Sequence, residues 1–179
     1  MSETYRMTIA GCERELPRFA VSDTLDIAAF ILFGDVEVTV ASAAALLQKA
    51  PDFDVLFTAE AKSIPLIYEM ARQSGRPYVV ARKRPKVYMT DPVSVEVQSI
   101  TTKGQQALWL GQEDIAKMAA KRVLIVDDVI STGESLRALE ALAALTQGTV
   151  VGKCAVLAEG DAADRDDIFF LEKLPLFFK

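Results

Sequence analysis

The chain has 179 residues, of which 51% are hydrophobic, so it can bury a full core and is neither disordered nor fibrous. Its net charge of -5 argues against general nucleic-acid binding, because neutralising phosphates requires a basic face. The sequence contains no histidine, which excludes Ser-His-Asp and Cys-His catalytic sites and histidine-based zinc sites.

The first half of the chain alternates short β patterns with amphipathic helical patterns. A turn is predicted at Gly34 and Asp35, Pro51 ends the first helix, and Gly75 fits the position just beyond the second. The predicted elements in this half are a strand over 5–10, a helix over 37–49, a strand over 54–58, a helix over 64–75 and a strand over 78–83.

The second half continues the alternation after a polar loop with two prolines. Its last helix is predicted to turn Leu136, Leu139, Leu142, Ala143 and Leu145 inward and to end at Gly148. The predicted elements are a hairpin of strands 94–100 and 106–110 around a turn at 101–105, a helix over 113–121, a strand over 123–126, a helix from 134, and a strand over 150–160. An apolar tail follows over 168–178.

This alternation predicts an α/β protein in which a mainly parallel sheet is covered by helices on both faces. We expect a single domain over 1–179, because no linker or repeat interrupts the pattern. Ligands of such sheets bind beyond the carboxyl ends of the strands. The rule places three loops, 59–63, 82–86 and 127–135, on one rim.

No apolar stretch approaches the roughly 20 residues of a membrane helix. The beginning of the sequence is polar and acidic, unlike a signal peptide. Cys12 and Cys154 stand in ordinary apolar surroundings and are interpreted as reduced thiols. We therefore expect a cytoplasmic protein that acts on neither membranes nor nucleic acids.

Two adjacent acids, Asp127 and Asp128, follow the apolar run 123–126 and precede a small-residue turn and a helix. Free amides at a helix N-terminus favour an anion, and carboxylates accept hydrogen bonds from sugar hydroxyls or hold Mg²⁺ through water. The pattern thus predicts a sugar-phosphate site. Part of it also fits a capping box of Ser131 and Glu134, and the acids fit a Walker-type strand end, but the chain lacks GxxxxGK[ST].

Residues 123–135, VLIVDDVISTGES, closely resemble the phosphoribosyl pyrophosphate (PRPP) motif of type I phosphoribosyltransferases. The resemblance implies that Asp127 and Asp128 bind the ribose hydroxyls, with Mg²⁺ held through water. Many members have glycine where this chain has Glu134, so we expect its side chain to point away from the phosphate, as a capping partner. The implied phosphate-binding positions are Asp127, Asp128, Val129, Ile130, Ser131, Thr132, Gly133, Glu134 and Ser135.

Two further loops resemble the family's pyrophosphate-binding segments. AEAKS, 59–63, matches the pyrophosphate loop, and ARKRPK, 81–86, matches the start of the flexible loop of adenine phosphoribosyltransferases. Taken alone, each is equally typical of a solvated surface. The resemblance implies pyrophosphate contacts from Ala61, Lys62, Arg82, Lys83, Lys86 and Tyr88, and a catalytic set of Asp127, Asp128, Lys62, Arg82 and Lys86.

The resemblance also implies the type I phosphoribosyltransferase fold, with a hood formed by about 1–35 and the tail 168–179, and a homodimer that shares the basic loop. The implied reaction joins adenine to PRPP, giving AMP and pyrophosphate. Xanthine, hypoxanthine or guanine as acceptor, and a noncatalytic PRPP-binding regulator, stay open.

Features that select the acceptor base are few in this sequence. Many adenine enzymes carry a glutamate after the flexible loop, and residues 100–103, ITTK, stand there instead. Glu96 is a possible replacement. Phe19, Phe30 and Phe33 can stack on a base or pack in the core.

Overall fold

The computed structural model describes residues 3–97 and 106–179. In chain order its elements are β1 Thr4–Ile9, β2 Cys12–Ser22, β3 Leu25–Ala28, α1 Val36–Lys49, β4 Val55–Ala59, α2 Ile64–Ser74, β5 Tyr78–Ala81, β6 Val93–Val97, β7 Gln106–Leu110, α3 Gln112–Met118, β8 Arg122–Ile130, α4 Glu134–Leu145, β9 Thr149–Glu159, a 3-10 turn Gly160–Asp164, β10 Phe169–Leu174 and β11 Phe177–Phe178.

The main sheet contains β10, β9, β8, β4 and β5 in that order, and every pairing between these neighbours is parallel. This confirms the predicted α/β class. The inner strands β4 and β8 contain the apolar runs 55–57 and 123–126, because both faces of these strands are covered. Leu56 and Leu124 belong to one buried cluster, whereas Val55 and Val123 belong to another, as the alternation of side chains along a strand requires.

Helices cover the two faces of this sheet. Leu46 of α1 and Met70 of α2 are buried in the first cluster, and Leu139 of α4 and Met118 of α3 are buried in the second. The antiparallel hairpin of β6 and β7 was predicted, and its pairing of Val93 with Leu110 confirms it. The predicted turn over 101–105 lies outside the described residues.

A second, antiparallel sheet contains β1, β2, β3 and β11 and stands above the carboxyl end of the main sheet. The chain returns to it at the end, where Phe177 pairs with Asp26 of β3 and its ring lies 4.1 Å below the Arg18 guanidinium. Of the tail assigned to the hood, β10 lies in the main sheet and β11 in this second sheet. The long strand β2 was not predicted, because three consecutive charged residues, Glu13 to Glu15, and then Pro17 interrupt the regular apolar alternation of a strand.

The helix ends test the local predictions. Gly75 has φ 67° and accepts the left-handed conformation that ends α2, as predicted. Leu145, predicted to face inward, is 56% exposed although Leu142 and Ala143 in the same turn are buried, because it lies at the edge of the buried face of α4. Across the described ranges, no helix is long and apolar enough to cross a membrane.

Candidate functional site

The two adjacent acids lie where strands β4 and β8 separate. The pairing of β8 with β4 ends at Ile125 opposite Phe57, but its pairing with β9 continues to Ile130 opposite Ala158. Asp127 and Asp128 are therefore inside β8, and the prediction that they begin where the strand leaves the sheet is wrong. β4 no longer pairs with this part of β8, and the loop after β4 lies beside the two acids instead.

Ser63, the last residue of that loop, contacts both acids. Its hydroxyl oxygen lies 2.6 Å from Oδ1 of Asp127 and 3.1 Å from Oδ1 of Asp128. The backbone N–H of Asp128 donates to the Ser63 hydroxyl at 3.0 Å and to Oδ1 of Asp127 at 2.9 Å. These bonds fix both carboxylates relative to the loop.

The surroundings of Asp127 favour its protonated form. Burial, and then the negative charge of Asp128, raises the pKa of Asp127 to about 7, although the Ser63 hydroxyl opposes this shift. Asp128 is only 4% exposed, and its Oδ2 atom accepts no hydrogen bond from any residue described here. Nζ of Lys62 lies 3.7 Å from that oxygen. A buried acceptor without a donor is costly, so this atom is suited to a ligand hydroxyl.

A cavity of about 280 Å³ opens at this point. It brings together parts of all three predicted loops, which confirms that they share one rim. Its walls combine acids with cations and hydroxyls, so it can hold a ligand that carries both hydroxyls and negative charge. Residues that line it include Glu60, Ala61, Lys62, Ser63, Lys83, Asp127, Asp128, Val129 and Ser135.

A smaller adjoining cavity, about 120 Å³, is enclosed by the turn from β8 into α4. Asp127 and Ser135 line both cavities, so the two cavities share part of their walls. The first turn of α4 faces this space with free backbone amides, which favours a phosphate. The lining residues of the turn are Val129, Ile130, Ser131, Thr132, Gly133, Glu134 and Ser135.

Gly133 shapes this turn. It has φ 79° and directly precedes α4, and a Cβ placed on it would come within 2.6 Å of Nη1 of Arg165. Because Gly133 rather than Ser131 precedes the helix, Glu134 is the first helical residue, and the capping box predicted from Ser131 and Glu134 does not form. Glu134 is among the residues that line the small cavity, and the expectation that its side chain points away from the phosphate stays a prediction.

The residues of the basic loop after β5 differ in how closely they approach the cavity that contains the acids. Lys83 lines the larger cavity, and its backbone N–H donates to Glu60 at 3.0 Å, which together with nearby cations lowers the pKa of Glu60. Arg82 lies at the edge, with Nη2 3.2 Å from Glu60 and its backbone bonded to Trp109. Lys86 and the exposed Tyr88 are outside the lining of this cavity within the part of the chain described.

A third cavity, about 330 Å³, lies between the end of β3, with the segment that follows it, and the rim that carries the acids. Apolar residues from Ile27 to Ile31 form one wall, and Lys62, Val129 and Glu159 close it toward the acids. Phe30 lines this cavity, whereas Phe19 and Phe33 are exposed elsewhere. This cavity shares Lys62 and Val129 with the 280 Å³ cavity, and its apolar wall suits the face of a planar ligand.

Glu96 is the candidate replacement for the glutamate that many adenine enzymes carry after the flexible loop. Residues 100–103 lie outside the described residues. Glu96 is exposed on β6, opposite Ala107, which lines the larger cavity.

The acids also suit a hard cation. Among the described residues, no three Asp, Glu, Cys or His side chains form a metal-binding group. Mg²⁺ commonly uses one or two carboxylates together with water and substrate oxygens. The Asp127 and Asp128 pair, with an unbonded buried oxygen, fits that mode of binding.

Sequence reasoning missed three residues of the site: Ser63, Glu60 and Glu159. Ser63 stands in the quoted loop AEAKS, but its type is equally typical of a helix N-terminus. Glu60 follows β4 and Glu159 is the last residue of β9, so both stand at the carboxyl edge of the sheet, which is the signal that could have identified them.

Comparison with known proteins agrees with this geometry. The family model for the phosphoribosyl transferase domain matches residues 37–173. An orotate phosphoribosyltransferase from Methanopyrus kandleri is 33% identical over 103 residues, which cover 58% of this chain and 44% of that protein. A hypoxanthine/guanine phosphoribosyltransferase from Methanotorris igneus is 39% identical over 88 residues, which cover 49% and 44%.

The chain spans about half the length of the curated relatives it matches. Among solved structures, the adenine phosphoribosyltransferase of Thermoanaerobacter pseudethanolicus superposes with a TM-score of 0.68 at 23% identity, covering 79% of this chain and 84% of that one. The likeness shows that the two share the type I phosphoribosyltransferase fold. On the extent of the family match, this chain belongs to the phosphoribosyl transferase domain family.

Proposed function

We propose that this protein is a purine phosphoribosyltransferase that joins adenine to PRPP and releases AMP and pyrophosphate. The observation that carries the proposal is the pair of continuous cavities on one rim. One offers Asp127, Asp128 and Lys62, and the other offers the free amides of the turn before α4. PRPP requires these two kinds of surface, because it carries ribose hydroxyls, a 5-phosphate and a diphosphate.

In the proposed reaction a base nitrogen forms a bond to C1 of the ribose while the bond from C1 to pyrophosphate breaks. Positive charge develops on the sugar and negative charge on the leaving diphosphate. Asp127 and Asp128 hold the ribose hydroxyls, and the amides of residues 129–135 hold the 5-phosphate. Such a reaction is accelerated chiefly by positioning and by fixed charges, so it requires no histidine.

The leaving pyrophosphate is assigned to the cations of the other two loops. Ala61 and Lys62 lie in the cavity wall, and Lys83 faces the same space. We assign Arg82, Lys86 and Tyr88 to the same role after the basic loop closes over the bound substrate. Closure would exclude water from an activated sugar, which prevents hydrolysis.

Mg²⁺ is part of the proposal. Asp127 and Asp128 would hold it through water, together with hydroxyl and diphosphate oxygens of PRPP. When bound, it would neutralise part of the charge on the leaving diphosphate.

The acceptor base is assigned to the cavity under the hood, whose wall from Ile27 to Ile31 is apolar. Structural neighbours named adenine phosphoribosyltransferases support adenine, whereas sequence relatives named hypoxanthine/guanine phosphoribosyltransferases support an oxopurine as the second candidate. Glu159 in this wall accepts hydrogen bonds, which suits a base edge that carries N–H groups. A noncatalytic PRPP-binding regulator is the alternative that an activity assay excludes.

The decisive experiment incubates the protein with PRPP and Mg²⁺ and, in separate reactions, adenine, hypoxanthine, guanine, xanthine or orotate. Pyrophosphate release and the nucleotide formed are both measured. We expect release with adenine. Turnover of an oxopurine without turnover of adenine would contradict the adenine assignment, and turnover of none would contradict the enzyme assignment.

We further propose a homodimer that works in the cytoplasm. Val87 and Tyr88 in the basic loop are both strongly exposed, which is consistent with a partner subunit covering this loop. Sedimentation of the purified protein tests the dimer, and a monomeric mass at assay concentration would contradict it.

A further inference from the structure

Ser63 has a hydrogen-bonding arrangement that its position in the fold does not explain. It directly precedes α2, where a serine hydroxyl usually accepts a bond from the first turn of the helix. Within the described residues, Ser63 makes no such capping bond. Its hydroxyl turns instead to Asp127 and Asp128 of the neighbouring strand β8.

The carboxylates of Asp127 and Asp128 need a third group to orient them toward one shared ligand. Neighbouring residues of a strand point to opposite faces, so their carboxylates do not share a ligand by default. The Ser63 hydroxyl has one hydrogen, which it donates to Asp127 at 2.6 Å, and it accepts the backbone N–H of Asp128 at 3.0 Å. One side chain therefore fixes the first carboxylate and the backbone that carries the second.

Burial makes this arrangement hard to replace. Ser63 is 2% exposed and Asp128 is 4% exposed, so water has little access to the bonds between them. Hydrogen bonds to a carboxylate are stronger than neutral ones, and they weaken less when they are shielded from solvent. Losing the hydroxyl would release the Asp127 side chain to other rotamers.

We propose that Ser63 is a positioning residue for the ribose-binding acids. It holds the carboxylates of Asp127 and Asp128 in the orientation that accepts the ribose hydroxyls. Because Ser63 ends the loop that carries Lys62, it also keeps the acids in register with the pyrophosphate-binding loop. The inference rests on the proposed function, since it assumes that PRPP is the ligand.

The test is the variant Ser63→Ala, titrated calorimetrically in the presence of Mg²⁺ with three ligands in turn: PRPP, ribose 5-phosphate and inorganic pyrophosphate. Ribose 5-phosphate reports on the acids, and pyrophosphate reports on the lysine loop. We expect affinity for PRPP and for ribose 5-phosphate to fall about 10-fold. Affinity for pyrophosphate should stay within about twofold of the wild type.

The matched control is Ser42→Ala. Ser42 is also a buried serine, but it lies on α1, and its hydroxyl has no hydrogen-bond partner among the described residues. This variant should bind all three ligands as the wild type does. Thermal unfolding of both variants is measured alongside, so that a loss of folding is recognised.

The outcomes separate the two claims. If the wild type binds PRPP and Ser63→Ala binds it equally well, the positioning role is overturned and the proposed function stands. If Ser63→Ala weakens all three ligands equally, Ser63 only scaffolds the loop, which also overturns the inference. A wild type that binds no PRPP overturns the proposed function, and the inference with it.

Discussion

The buried acid Asp128 offers the sharpest test of the ribose site. The variant Asp128→Asn removes its negative charge while preserving its size. Its Oδ2 atom accepts no hydrogen bond from the described part of the protein, so the substitution breaks no internal bond at that oxygen. It does remove the ion pair with Lys62, which spans 3.7 Å. We expect strongly weakened PRPP binding in a folded protein.

The magnitude follows from the bond that the ligand loses. A hydrogen bond to a charged group contributes about 1.5 to 3 kcal/mol, which corresponds to a loss of about 10-fold to 150-fold in PRPP affinity. Stability should hold or rise, because Asp128 repels Asp127 and raises the pKa of its carboxyl. The variant is thus expected to lose binding without losing stability.

Calorimetric titration with PRPP and Mg²⁺ measures the first effect, and thermal unfolding measures the second. The control is Asp52→Asn, because the side chain of Asp52 is 95% exposed and lies near Arg122, at the opposite end of β8. It should bind PRPP normally. Unchanged PRPP affinity in Asp128→Asn would remove Asp128 from the site and refute the reasoning.

Three further predictions concern the same rim. Because the pKa of Asp127 is raised to about 7 in the fold, the folded state binds more protons than the unfolded state, and ligand-free stability should decrease as pH rises from about 4 to about 7. Thermal unfolding at several pH values should show a shallower decrease in Asp127→Asn, and an unchanged slope would contradict this origin. Gly133→Ala and Gly75→Ala both force alanine to positive φ, so each should lower the unfolding midpoint by several degrees, but only Gly133→Ala should weaken PRPP binding, measured by titration. Lys62→Met should raise KM for PRPP with little change in stability, whereas Lys121→Met, remote from the cavities, should leave KM unchanged; equal effects of the two would count against a specific role for Lys62.

The main sheet could be predicted because its information is local. Uninterrupted apolar runs such as 55–57 and 123–126 indicate burial on both faces, and Gly75 indicates the end of a helix directly. The rule that ligands bind at the carboxyl ends of parallel strands then predicts that three loops lie together. Lys62, Lys83 and Asp128 do line one cavity.

The features that the sequence did not predict depend on residues that are distant along the chain. β8 continues through Asp127 and Asp128 because β9 keeps pairing with it, and no feature of 123–130 reports the length of β9. Likewise, β2 is held as a strand by β1 and β3, although its own sequence contains a run of charged residues and a proline.

The hydrogen-bond partners of individual side chains were harder to predict than the strands. Ser63 could cap a helix or bond to a distant acid, and the choice depends on β8, which is 64 positions away at Asp127. Glu134 was expected to close a capping box, but the left-handed Gly133 directly precedes the helix, so Glu134 is the first helical residue. Both outcomes depend on tertiary geometry that overrides a sound local preference.

The central claim is that this rim binds PRPP and transfers its ribose to a purine. The most direct test mixes purified protein, Mg²⁺, PRPP and adenine, and follows AMP and pyrophosphate together by chromatography. We predict that the two products appear in equal amounts, and only when adenine, PRPP and Mg²⁺ are all present. The absence of both products with adenine and with every other purine would contradict the claim.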